Sequence, residues 1–354
     1  MNAYIAVSML VLATGVMFAV PLLPAVLELH RRSDATPLSI IQQHAGEIRY
    51  FADSFRTYIK TLEPTLQSCL LSGRTARGTM LDGIDYLVLG HGEEAQALLV
   101  KLQKEPFPAI IASASDLRLP SDVSFSKDIY SAGRLVGGRR NTYRAMLAEK
   151  DIQLPSGSTV MRWSHSVGGF KAGRDCKLFG RVSSDSGIAL AVGCRFSRLN
   201  APRISLGKRV VASPSLNTDP SLPAASTPRV LRQGNFAIPA GEVFRGNLVV
   251  RGKLCIGAGV RVCGSVKAEN VMVVEEGVSV EGSLTCGSAM RIGPRCSIRG
   301  PVIAERSVIL QTGTRCGTPQ IPTTVSAPHI EAEEGVEVFG TLWAREEGQV
   351  VENA

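Results

Sequence analysis

Residues 246–316 read GNLVVRGKLCIGAGVRVC (246–263), GSVKAENVMVVEEGVSVE (264–281), GSLTCGSAMRIGPRCSIR (282–299) and GPVIAERSVILQTGTRC (300–316). Gly246, Gly264, Gly282 and Gly300 head the four rows eighteen residues apart, and a beat of six runs beneath them. Every sixth residue from Val250 is apolar or small: Val250, Ile256, Val262, Ala268, Val274, Val280, Cys286, Ile292, Ile298, Ala304, Leu310 and Cys316. A second series, four residues later, runs Leu254, Val260, Val266, Met272, Val278, Leu284, Met290, Cys296, Val302 and Val308, and ends on Thr314. Steps of four and two cannot sustain the 3.6-residue period of a helix. Short strands with both series turned inward do fit, joined by corners where glycine tolerates positive φ. Three six-residue faces close a coil of eighteen, and stacked coils enclose a dry aliphatic core. The sequence therefore predicts an all-β solenoid, a parallel β-helix with about 18 residues per coil.

Units such as Val262-Cys-Gly-Ser-Val266 and Val280-Glu-Gly-Ser-Leu284 resemble the bactofilins, bacterial polymer-forming cytoskeletal proteins, over residues 236–345. That resemblance implies self-assembly through the β-helix and a scaffolding role in cell shape or envelope assembly. The hexads also resemble the hexapeptide-repeat acyltransferases, which would imply an enzyme. Three features depart from the bactofilin pattern: a membrane-length apolar stretch, about eighty residues between it and the solenoid, and an interruption near residue 211.

Composition narrows the choice. Aromatics are 5% and glycines number 35, a balance that suits a thin solenoid better than a globular α/β enzyme. Net charge is +8, but residues 115–210 hold seventeen basic against seven acidic side chains, while Glu331 to the end holds seven acidic and only Arg345. A basic middle and an acidic tail imply an anionic partner, self-association, or both. Eight cysteines show no paired spacing and no zinc pattern. Cys286, Cys296 and Cys316 fall on inward positions, where cysteine acts as a small hydrophobe, and the arrangement suits a reducing compartment.

Residues 1–27 carry no charge, and Tyr4–Leu27 is long enough to cross a bilayer at roughly 20 residues. His30, Arg31 and Arg32 follow. A single transmembrane helix is expected within residues 1–29, with its N-terminus outside and the bulk of the chain on the cytoplasmic side of a bacterial inner membrane. A small helical and α/β region should occupy 30–114. Leu38, Ile41, Ala45, Ile48, Ala52, Phe55, Ile59 and Leu62 form a heptad seam ending before Pro64. The seam serves either a subunit-pairing coiled coil or a helix lying on its own solenoid. Gly90-His-Gly92-Glu-Glu-Ala95 follows a strand-like Tyr86–Leu89 and mimics a dinucleotide fingerprint. Glu93 and Glu94 would sit against a pyrophosphate, and the unit occurs once, so a packing module and no cofactor are expected.

Strand signals return at Leu117, and an irregular β-helix is expected over 115–210, with helix-like Tyr143–Glu149 as an insertion. A Pro/Ser-rich insertion covers 211–235 and a shorter loop Thr318–Pro328. The regular β-helix then spans 236–345 with a tail at 346–354, and with 115–210 it makes roughly eleven coils and about 50 Å of rod. Beyond the second loop, Ile330, Val336 and Leu342 and then Ala332, Val338 and Ala344 resume the inward register. Phe339 and Trp343 are thereby thrown outward, and Phe339, Leu342 and Trp343 are the expected self-assembly contact of the last coil.

Reagents for catalysis are scarce. Only His165 and His329 within the solenoid could act as a general base, with His165 the candidate for an acyltransferase. Arg139, Arg140, Arg144, Arg174, Lys177, Arg181, Arg195 and Arg198 form a basic set whose expected partner is anionic lipid. Few aromatics accompany them in sequence, which argues against nucleic acid. The residues thus point to a non-enzymatic, membrane-anchored scaffold whose partners are other copies, the inner membrane and envelope-assembly proteins.

Overall fold

The computed structural model describes residues 7–18, 20, 48–90, 98, 106–207 and 228–353. The chain divides into two compact units, Met1–Glu47 and Ile48–Ala354. In the first, residues 7–18 and 20 are helical and exposed. No described helix is long and apolar enough to cross a membrane. The rest of the Tyr4–Leu27 stretch lies outside the described residues, as do Leu38, Ile41 and Ala45 of the heptad seam and most of the Gly90–Ala95 fingerprint.

The second unit is a parallel solenoid of about twelve turns, with about 18 residues in each. Its register repeats as expected: Leu254 lies beside Met272, Met272 beside Met290, and Met290 beside Val308. Every residue of the two inward series from Val250 to Cys316 is at most 1% exposed. Thr314 joins them because its hydroxyl donates to the Gly293 carbonyl one coil below (2.9 Å), which offsets the cost of burying it. Ile330, Ala332, Val336, Val338, Leu342 and Ala344 are buried on the same core.

Two columns of corners explain the period of eighteen, for different reasons. Gly241, Gly259, Gly277, Arg295 and Gly313 all have positive φ, and so do Asp122, Arg140, Gly157, Asp175 and Gly193 in the earlier half. At one shared corner these coils thus turn through the left-handed region, which L-residues enter at a cost of roughly 1–2 kcal/mol. Gly264, Gly282 and Gly300 do not have positive φ; a Cβ on any of them would collide with the backbone of the coil below. One expected result follows at Arg295, held at φ 55°. Arg295→Gly should raise stability by about 1 kcal/mol in a denaturant titration, less any loss of its ion pair with Glu276.

Four expectations need correction. The solenoid begins before residue 115, because Asp85–Leu89 pairs parallel with Ile110–Ser113, which pairs with Ile129–Ser131. Thr142–Ala148 is a strand, not a helical insertion. Its Ala145 and Leu147 are buried on one face and Met146 and Ala148 on the other, so the alternation that marks a strand is lost. The helix is not ended by Pro64: Tyr50–Ile59 continues through a 3-10 turn, Lys60–Leu62, into Glu63–Ser72, whose first turn accommodates the proline. Finally, Thr323–Glu333 is a strand, so the second loop is shorter than Thr318–Pro328.

The helical segment lies on its own solenoid. Ala52, Phe55, Ile59, Leu62, Leu66 and Cys69 pack against Val88, Ile110, Ala112, Ala145, Leu147 and Trp163. Each large side chain so buried contributes about 1.5–3 kcal/mol. Arg56–Glu149 (2.8 Å) and Arg49–Asp185 pin the helix. The described half of the heptad seam is therefore covered within the chain.

The two halves of the solenoid are not one continuous screw. Coils rise from Asp85 to the strand Arg195–Leu206, and a second stack rises from Arg229 to the strand Glu337–Val351. These two final strands pair antiparallel, with Leu199 beside Leu342 and Ile204 beside Val338. The stacks therefore abut last coil to last coil, across one shared core.

Candidate assembly and binding surfaces

The junction uses the charge asymmetry of the sequence. Arg174–Glu352 (3.5 Å), Arg195–Glu347 (3.2 Å) and Arg203–Glu337 join basic coils to the acidic tail inside one chain. Glu337 is nearly buried and also meets Arg315 (3.3 Å). Leu342 is fully buried against Leu199, Phe339 is half-buried, and Trp343 is turned outward. The coil expected to end the rod is thus internal, and its free edge is occupied by Arg195–Leu206.

The free edge of the second stack lies at its other end. Arg229–Arg232, Phe236–Ile238 and Val243–Arg245 each pair with the coil above, and no described strand pairs with their opposite edge. Hydrogen bonds from Asn247 to Pro228, Arg251 to Arg232, Gly257 to Ile238 and Arg261 to Glu242 fix the phase of this coil. Successive residues of a strand present their peptide groups to opposite sides. The groups of Leu231, Ala237 and Val243 therefore face the open side. Leu231 and Val243 are 53% and 56% exposed, and Phe236 and Phe244 half-cover the end of the core. At the other end of the molecule the four-residue strand Ala76–Thr79 folds back antiparallel on Asp85–Leu89, a short hairpin that blunts an edge.

The eight basic residues do not form one free face. Arg140–Asp122 (2.7 Å), Arg144–Asp128 (3.2 Å), Arg174–Glu352 and Arg195–Glu347 are ion pairs. Arg139 is exposed in a turn, and Lys177 is exposed on a strand beside Arg195. Arg181 and Arg198 come together instead, side by side on neighbouring strands. Arg181 lies 5.1 Å over the Phe51 ring and Arg198 lies 5.0 Å over Trp343. Around them a groove of about 500 Å³ is lined by Phe51, Met161, Arg162, Trp163, Phe179 and Trp343. Both tryptophans of the chain meet here. Sequence reading missed Phe51, Met161, Arg162 and Phe179 as members, because no local pattern links them.

His165 is sealed. It is 2% exposed, with Nδ1 2.8 Å from Ser183 Oγ and Nε2 3.9 Å from Asp185. The three groups are those of a hydrolytic triad, but His165 and Ser183 are both buried, Ser183 at 3% exposure. Burial holds the imidazole below its ordinary pKa, against a smaller opposing effect of Asp185. Because the unfolded chain then binds the proton more readily, stability should fall as pH drops below about 6.5. Comparing urea midpoints at pH 7.5 and 5.5, His165→Gln should show a smaller acid loss than the unsubstituted chain. His329 is exposed beside Glu346 (3.0 Å).

Cys286, Cys296 and Cys316 are buried as expected. Burial pushes the Cys296 thiol up to about 11 and that of Cys316 to about 12, so they are inert at neutral pH. Among the described residues no cluster of His, Cys, Asp or Glu could hold a metal. Comparison with protein-family profiles, curated proteins and solved structures finds no match to this chain.

Proposed function

We propose that this chain is a bactofilin-like, non-enzymatic scaffold that assembles end to end. Its N-terminal apolar segment would anchor it at a bacterial inner membrane, with the solenoid in the cytoplasm, where it would position envelope-assembly proteins. The observation that carries the reading is the open coil at Arg229–Arg245. Among the described residues, three strands in succession have no partner on their outer edge, beside exposed Leu231 and Val243, and an edge of that length is a template for pairing. The junction within the chain supplies the precedent, since it joins two terminal coils edge to edge. A second copy is the natural occupant because it carries the same edge.

Leu231→Pro with Val243→Pro tests this. Both N–H groups face the open side, so proline removes donors for a partner while sparing the hydrogen bonds within the chain. The detergent-solubilised full chain should sediment as extended assemblies and the double variant as single chains with an unchanged circular-dichroism spectrum. Assemblies of equal length would place the contact elsewhere.

A further inference from the structure

The arginine groove is a candidate ligand site that self-assembly does not use. Its central row is set by register: Trp163 lies beside Arg181, Arg181 beside Arg198, and Arg198 beside Trp343. Adjacent strands are roughly 4.8 Å apart, so two guanidinium groups are held side by side between aromatic walls. Burial, and to a smaller extent the Arg181 charge, press the Arg198 pKa down. Arg162 is a third cation in the lining, and among the described residues no acidic side chain lines the groove. On the rim, Met161 is 50% and Phe179 49% exposed, and Trp343 and Phe51 are also open to solvent.

We propose that this groove binds the phosphate of an anionic phospholipid at a membrane surface, with Met161, Phe179 and Trp343 entering the headgroup boundary. Arginine forks match phosphate oxygens. An apolar rim around cations is what an interfacial surface requires, with tryptophan favoured at the headgroup level. Nucleic acid is the weaker match: apart from Ser197 and the indole N–H of Trp163 and Trp343, the lining has no uncharged side chain able to hydrogen-bond to a base edge. The inference deepens the membrane part of the function proposed above. It also makes the groove a composite site, since Trp343 reaches it only when the two stacks are joined.

The full chain carrying Trp163→Phe leaves Trp343 as its sole tryptophan and a local probe of the groove. Because the N-terminal segment could itself hold the protein on any vesicle, the readout is quenching of Trp343 by doxyl-labelled lipid rather than vesicle capture. Quenching is expected on vesicles containing phosphatidylglycerol and should fall as salt rises from 0.1 to 0.5 M. An arginine near an anionic surface is worth roughly five-fold in affinity, so Arg162→Glu with Arg181→Glu should cut the quenching about ten-fold or more at fixed lipid. Sedimentation of the same variant should be unchanged, which separates failure of the groove from failure of the assembly reading. Equal quenching on neutral phosphatidylcholine, quenching retained in the double variant, or its relief by a short single-stranded oligonucleotide would overturn the proposal.

Discussion

Gly282→Val is expected to cost about 3 kcal/mol or more, and Gly277→Ala only about 1 kcal/mol, although both glycines sit at corners of the same coil. At Gly282 a Cβ would lie 2.4 Å from the Gly264 carbonyl oxygen, a backbone atom held by the stack. Relief requires prising two coils apart, which strips hydrogen bonds on both sides of the corner. At Gly277, with φ 67°, a Cβ would meet nothing within 4 Å, so only the left-handed conformation is penalised. Thermal or urea unfolding of the two variants reads the difference directly. Equal losses would mean that close stacking is not what selects glycine in the column Gly246, Gly264, Gly282 and Gly300.

The second large effect is expected at the junction. A Cβ on Gly348 would fall 2.2 Å from the Phe196 ring, which is 2% exposed and packed in the core. Gly348→Val should therefore separate the stacks while leaving each coiled, because a solenoid is stabilised by nearest-neighbour contacts. Hydrogen exchange should show lost protection in Arg195–Leu206 and Glu337–Val351, with 250–310 unaffected. Glu337→Gln should act in the same direction more mildly, weakening the contacts of Arg203 and Arg315. Uniform loss of protection along the whole rod would instead show that the two stacks unfold as one.

How far the fold could be read depended on whether one face of each strand met water. From Val250 to Cys316 it does, so the inward series stand out residue by residue and all are buried. In the earlier half the outer face is covered by the Tyr50 helix, and Ala145-Met-Leu-Ala148 lost the alternation that identifies a strand. There, too, Asp122, Arg140 and Asp175 take the left-handed corners that glycine marks later. The charge asymmetry was legible, but not that Arg174, Arg195 and Arg203 meet their acids in the same chain. Arg181, Arg198 and Trp343 of the groove were singled out in the sequence, but not as neighbours. Arg198 and Trp343 are neighbours only through an antiparallel register between strands some 140 residues apart.

That same distance orders events during synthesis. Arg195–Leu206 is complete, and can stack on its own coils, long before its partner strand through Val351 has been made. At 5–20 residues per second the wait is about 7–30 s. Through that interval the nascent chain displays a twelve-residue ready-made edge, and a neighbouring ribosome on the same message displays an identical one. Arg195, Arg198 and Arg203 on that strand would then face their own kind, a repulsion that disfavours premature pairing between chains until the acidic segment arrives to complement it.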